Sequence, residues 1–226
     1  MTMTTRPTVE CEGISGPYEL DRKDLLAEIE AAIRFEGARK DRHIDFPAIA
    51  NFLKSDGNLY NAVSHTFGRE LDIWRTNFFY KTSGSGEVGW HHDRHFETGD
   101  QNIDLANTEN HFSVLIAITD LLEEDGVIEY IPFSHLPLQG FERDVRPFHK
   151  KAVIDHFLNL PVELVDRRRS MPLKRGQFAL FHSALLHRSL PFRHGSHRIS
   201  MVIRLCRRHT LIPEELLSLN GRQPYN

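Results

Sequence analysis

The segment GWHHDRHFE places His91 and Asp93 two positions apart. On a strand, or at its end, that spacing turns both side chains to one face, so an imidazole and a carboxylate can clasp one metal ion. Far downstream, FHSALLHRS supplies two more imidazoles, His182 and His187. Two histidines and one carboxylate leave coordination positions open, which is the donor set of non-haem Fe(II) oxygenases. His91, Asp93 and His187 are therefore the candidate ligands. The plain alternative is a solvated turn, because 14 histidines and 31 acidic residues produce such pairs by chance.

Eleven residues after His187, Arg198 opens HRISMVIRL, in which Arg198, Ser200 and Val202 share one strand face. A guanidinium facing into a barrel needs an anion, and its planar fork suits a carboxylate held through two hydrogen bonds. An ion pair with a neighbouring acid is the structural alternative. Ser189, two beyond His187 on the same face, can add a hydroxyl donor to the same carboxylate, or it is a turn serine.

Elements must bring these distant residues together. Between Asp21 and Phe35, Leu25, Leu26, Ile29, Ala32 and Ile33 recur at helical spacing, and a second short apolar-periodic stretch runs from Phe46 to Leu53. After Gly68 the pattern changes to short β-branched and aromatic segments separated by turn clusters such as SGSGEVG and EEDG. The spacing predicts strands over 71–81, 88–94, 112–120, 126–132, 161–165, 177–182, 185–190 and 197–206, with helices near 150–158 and 213–219. That is a mostly β chain with flanking helices, built on a jelly-roll or barrel core whose interior can hold a ligand. Residues 1–12 are expected to be a flexible tail and 13–226 a single domain, helical over 20–66 and β over about 70–207.

Composition narrows the function classes. The chain has 226 residues, 40% hydrophobic and 26% charged, an ordinary globular mix that excludes general disorder. No apolar run is long enough to span a bilayer and the N-terminus lacks the core of a secretory signal, so no membrane partner and a cytoplasmic location are expected. A formal charge of −3 argues against nucleic acid as a partner. Cys11 and Cys206 cannot build a disulfide framework or a thiolate zinc site, which leaves nitrogen and oxygen as metal ligands.

Taken together, WHHD, DGVIEYIPFSHL, FHSALLHRS and the HRIS arginine resemble the phytanoyl-CoA dioxygenase-like family of Fe(II)/2-oxoglutarate oxygenases over about residues 71–206. The resemblance implies a double-stranded β-helix (jelly-roll, cupin-like) fold. It also implies Fe(II) on His91, Asp93 and His187, 2-oxoglutarate and O2 as cosubstrates, and the distal carboxylate of 2-oxoglutarate on Arg198 and Ser189. Asn77 resembles a position from which relatives reach the C1 end of 2-oxoglutarate; a solvent-facing strand residue is the alternative. If Asn77 faces inward, so does Arg75, and Arg75 and Arg204 become candidates for binding a substrate, with surface ion pairs as the plainer reading. Trp90 either walls the pocket or belongs to the core. His182 is expected to pack behind His187 or orient it.

Two features depart from the family pattern. Phe133 stands where its proline-glycine-serine-histidine turn carries glycine, and 94–111 is a long polar insertion expected to form a lid. In related halogenases the carboxylate ligand is replaced by a small residue, so Asp93 favours hydroxylation, with desaturation or ring formation as variants. The expected substrate is a polar small molecule, an amino acid or natural-product intermediate. A non-catalytic metal-binding barrel or a metal-dependent hydrolase would use the same three ligands but has no need of Arg198.

Overall fold

The computed structural model describes residues 9–38, 40–93, 110–124, 126–136, 158, 160–212, 214 and 217–226. Two antiparallel sheets dominate it. Strands β1 (Ile14–Glu19), β2 (Leu71–Thr82), β4 (His111–Ala117), β7 (Gln177–His182), β9 (His197–Arg207) and β10 (Gln223–Pro224) form the larger sheet, in the order β1-β7-β4-β9-β2-β10. Strands β3 (Val88–His91), β5 (Ile128–Tyr130), β6 (Arg169–Met171) and β8 (His187–Ser189) form the smaller, in the order β3-β8-β5-β6. This is the jelly-roll, double-stranded β-helix core with helices packed outside it.

The larger sheet is apolar on both faces because both are covered, which is why β4 is buried at every position. Its outer face, with Val114, Ile116, Leu180 and Ile203, joins one core with Ile29, Ile33, Phe52 and Val63 of the helices α2 (Leu26–Glu36), α4 (Pro47–Ser55) and α5 (Gly57–Phe67). Its inner face contributes Leu115, Ala179, Phe181 and Val202 to a second core with Tyr130 and Met171 of the smaller sheet. A third cluster, Trp90, Ile131, Leu158, Leu164 and Leu186, packs separately.

Several expectations need correction. Residues 161–165 form no strand: Val162–Val165 are the helical turn α6, started by Pro161, with Leu164 alone buried among them. The β-branched run PVELV misled because its single buried side chain needs only one turn. Strand β1 was not expected, since Gly16 and Pro17 interrupt its alternation. It survives as an edge strand with a register shift between Ser15 and Tyr18, where a proline lacking N–H is tolerated. Of the expected N-terminal tail, residues 1–8 lie outside the described residues, while Val9–Glu12 form the helical turn α1, with Val9 buried. The helix near 150–158 lies outside the described residues except Leu158, and that over 213–219 does so in part; the 94–111 insertion is described only at residues 110 and 111.

Candidate metal centre

The two candidate histidines sit on neighbouring strands. β3 and β8 are antiparallel with His91 opposite His187, and the ring centroids are 4.2 Å apart. Asp93 follows β3 by two residues, in the turn that ends the strand. His91, Asp93 and His187 are all buried, and each offers one ligand atom within 4.8 Å of the others. They form the one such group of three or more His, Cys, Asp or Glu ligands among the described residues.

The ring orientations follow from the backbone. His91 Nδ1 lies 2.8 Å from the Gly89 carbonyl and His187 Nδ1 lies 2.9 Å from that of Leu185. A carbonyl can only accept, so each Nδ1 carries the proton and each Nε2 keeps its lone pair for a metal. His187 Nε2 is 3.8 Å from Asp93 Oδ1. Burial, reinforced by neighbouring His187, holds the His91 imidazole well below its usual pKa, in the neutral form that ligates. His182 Nδ1 accepts from the Ala184 amide at 3.1 Å, and its ring lies 5.2 Å from that of His135.

Asp93 is fixed at both oxygens. Ser113 Oγ donates to Oδ2 at 2.5 Å, while Arg204 donates to Oδ1 at 3.3 Å and to the Asp93 backbone carbonyl at 3.0 Å. Burial alone would raise the carboxyl pKa; Arg204, His187, His91 and Ser113 more than offset it, leaving the group below its ordinary value and ionised. Arg204 thus braces a candidate ligand. Its side chain also lies over the Trp74 ring at 5.7 Å.

The cavity beside the three ligands has an empty volume of about 430 Å³ and runs between the sheets past Phe79, Leu115, Phe181 and Val202 to Ser189, Arg198 and Ser200. Arg198 is 1% exposed, and its Nε and Nη2 have no hydrogen-bond partner among the described residues. Burial lowers its pKa to about 10, so it remains charged at neutral pH. A buried guanidinium without an anion is costly, and this one lines the cavity. Ser200 Oγ is also buried without a hydrogen-bond partner among the described residues. Ser189 lines the same cavity, its hydroxyl 3.5 Å from the Gly126 carbonyl.

The remaining expected residues divide. Asn77 occupies the inward face of β2 with Arg75 and Phe79, and its Oδ1 is buried without a partner among the described residues. Arg75 lies over the Trp74 ring at 4.9 Å, with Nε 4.0 Å from Asp41 Oδ2, and does not line the cavity. Trp90 faces the other way, into the cluster with Ile131, Leu158, Leu164 and Leu186, and Arg188 covers its ring at 4.9 Å. It is core, not pocket wall.

Sequence reasoning missed Ser113, which holds Asp93. The inward parity of Leu115 extends back two residues to Ser113, so it was within reach of the same alternation.

A sequence profile of the phytanoyl-CoA dioxygenase (PhyH) family matches residues 23–200. Among solved structures, a non-heme monooxygenase, ThoJ, in its apo form, superposes with a TM-score of 0.69 at 17% identity, over 96% of this chain and 78% of that one. The epimerase SnoN in complex with Fe3+, alpha ketoglutarate and nogalamycin RO gives 0.68 at 16% identity, over 94% and 88%. CytC3 with Fe(II) and alpha-ketoglutarate gives 0.64 at 19%, over 92% and 79%. At these identities the likeness is one of fold. No curated protein sequence matches the chain.

Proposed function

The chain belongs to the phytanoyl-CoA dioxygenase family, Fe(II)- and 2-oxoglutarate-dependent enzymes that consume O2, and from that premise we propose that it hydroxylates an unactivated C–H bond of a polar small molecule. An amino acid or a natural-product intermediate is the substrate class. The observation that carries this reading is a single cavity lined by three buried ligands at one point and a buried guanidinium without an anion at another.

In this reading His91 and His187 hold iron through Nε2 and Asp93 holds it through Oδ1. Arg198 and Ser189 receive the distal carboxylate of 2-oxoglutarate, and Asn77 serves its C1 end. Bound iron, with 2-oxoglutarate and O2, supplies the oxidising power for C–H cleavage, with succinate and CO2 as coproducts. The chain's own work is positioning and exclusion of water. Phe79, Leu115, Phe181 and Val202 wall the space between the ligands and Arg198 with apolar surface, which strengthens the charge interactions inside it. Asp93 as third ligand favours hydroxylation over halogenation, since no ligand position is surrendered to a halide. A zinc-storing barrel or a hydrolase would gain nothing from Arg198, whose burial without an anion would then be a pure cost.

The test is aerobic incubation with Fe(II), 2-oxoglutarate and ascorbate against pools of amino acids and natural-product intermediates, reading succinate together with product mass. A product heavier by one oxygen, formed in step with succinate, is the expected result. A product of unchanged mass, or one lighter by two hydrogens, would replace hydroxylation; tight zinc binding with no succinate under any condition would overturn the oxygenase reading.

A further inference from the structure

Strand β3 carries one residue more than its partner between two fixed points. Val88 lies opposite Ser189 and His91 opposite His187, so three steps along β3 match two along β8. Strict alternation would turn Val88 and His91 to opposite faces, yet both line the cavity. The bulge is therefore what aims His91 at the other two ligands. Its carbonyls are both engaged: that of Gly89 accepts from His91 Nδ1 at 2.8 Å, and that of Trp90 accepts from the Leu158 amide at 2.5 Å. β3 is also the end strand of its sheet, held in the ladder by β8 alone. A one-residue slip there would carry His91 out of the cavity. Directly behind the bulge, side chains on the outer face tie three strands together. Arg188, between the inward His187 and Ser189, lies over the Trp90 ring at 4.9 Å. Its Nε donates at 2.6 Å to Oε2 of Glu129, its cross-strand partner on β5, and its Nη2 is 2.6 Å from the same oxygen. Glu129 is buried and accepts from Arg168 Nε on its other oxygen at 3.3 Å.

We propose that Arg188 and Trp90 are positioning residues for His91: the guanidinium, anchored on Glu129 and laid over the indole, fixes the bulge that turns this imidazole toward the metal. This rests on the iron-site reading above. A planar guanidinium can stack on a ring and pair with a carboxylate at the same time, which a lysine ammonium does less well. Glu129 holds one end of it to the middle of the sheet, and the other end presses on the only bulge residue with a side chain, since its neighbour is Gly89. Neither Arg188 nor Trp90 faces the cavity; they act through the backbone. Without the guanidinium the bulge loses its outer support, and the Gly89 carbonyl is free to turn away from His91 Nδ1. The ring then loses the acceptor that keeps Nε2 aimed inward. The effect is one-sided, because His187 Nδ1 donates to the Leu185 carbonyl, outside the bulge. If Arg188 and Trp90 only packed the outer face, their loss would lower stability and leave the ligand geometry alone, as loss of Leu164 from the Trp90 cluster would.

The experiment is anaerobic titration of cobalt(II) into the full chain, read by its ligand-field absorption, alongside thermal melts of the metal-free protein. His91→Ala and His187→Ala supply the reference spectra for loss of either imidazole. Arg188→Met keeps an apolar stem over Trp90 but no charge; it should bind cobalt about 10-fold more weakly, with bands displaced toward those of His91→Ala. Trp90→Leu should behave alike, whereas Trp90→Phe retains a ring for the guanidinium and should stay within about 3-fold of wild type. Leu164→Ala should lower the melting temperature and leave cobalt affinity and bands as in wild type. The Arg188 side chain is 21% exposed, so Arg188→Met reads the inference even where Trp90→Leu does not fold. Wild-type affinity and bands in Arg188→Met, or bands displaced as far in Leu164→Ala, would overturn the inference while leaving the metal centre standing. Wild-type protein that bound no cobalt, or bound it with bands unchanged by His91→Ala, would overturn both.

Discussion

Burial by itself would protonate Asp93; it stays ionised chiefly because the Arg204 guanidinium and the Ser113 hydroxyl donate to its carboxylate. That arrangement makes Arg204 a brace for the metal ligand, and substitution should show it. Arg204→Met and Ser113→Ala should each weaken metal binding about 10-fold or more, the usual cost of losing a group that orients a ligand. The sign with pH is fixed: without Arg204 the Asp93 carboxyl pKa rises, so protons compete with the metal up to a higher pH than in wild type. Metal titrations at two pH values read this directly, and unchanged affinity would demote the brace. Arg198→Ala should leave metal affinity intact and lower 2-oxoglutarate affinity about 10- to 100-fold, with activity partly recovered by excess ketoacid. At this scale His91, Asp93, His187, Ser189 and Arg198 were candidates from strand parity together with the family resemblance, and the fold brings all five to the lining of one cavity. The separate roles of the two inward arginines of β9 were not legible. Parity says that Arg198 and Arg204 share a face, but only the fold reveals that Arg204 meets the Asp93 carboxylate while Arg198 meets none among the described residues.

Among the elements, the turn after β5 shows how a departure from pattern is accommodated. Phe133 takes the place of the family's glycine yet keeps a left-handed backbone, at φ 65°. Its amide donates to the Glu12 carbonyl at 3.1 Å, and the Ser134 hydroxyl next to it accepts from the Leu186 amide at 2.8 Å, one residue before His187. The turn therefore supports the strand that carries a ligand, and its conformation is retained at some cost in strain. Phe133→Val should destabilise the fold by about 1–2 kcal/mol, since a β-branched residue is poorly tolerated there, while Phe133→Gly should be milder despite losing more apolar surface. Thermal melts that ranked the two the other way would mean that side-chain packing, not backbone conformation, governs this turn. A second local feature is the register shift between Ile73 and Arg75, which inserts Trp74 as an extra residue. The shift moves the inward parity from even to odd positions and places Trp74 beneath both Arg75 and Arg204. Sequence alternation shows neither this bulge nor the edge strand β1, because each breaks the period on which such reading depends.

At the level of the whole molecule, the helices cover one face of the larger sheet so that the other can face the smaller sheet across a cavity. The sequence reveals the division into a helical first third and a β remainder because the apolar period changes after Gly68. It does not reveal which strands share a sheet, since the two histidines nearly a hundred residues apart meet only through the β3–β8 pairing. Among the described residues no helix is long and apolar enough to cross a membrane. The central claim is that His91, Asp93 and His187 form one iron site that shares its cavity with a ketoacid seat. Anaerobic titration followed in the visible region tests it most directly. A weak absorption band is expected that requires both Fe(II) and 2-oxoglutarate, is lost in His187→Ala, and needs a higher ketoacid concentration in Arg198→Ala. A band that persisted undiminished in His187→Ala, or wild-type protein that bound Fe(II) and remained spectrally indifferent to 2-oxoglutarate, would contradict it.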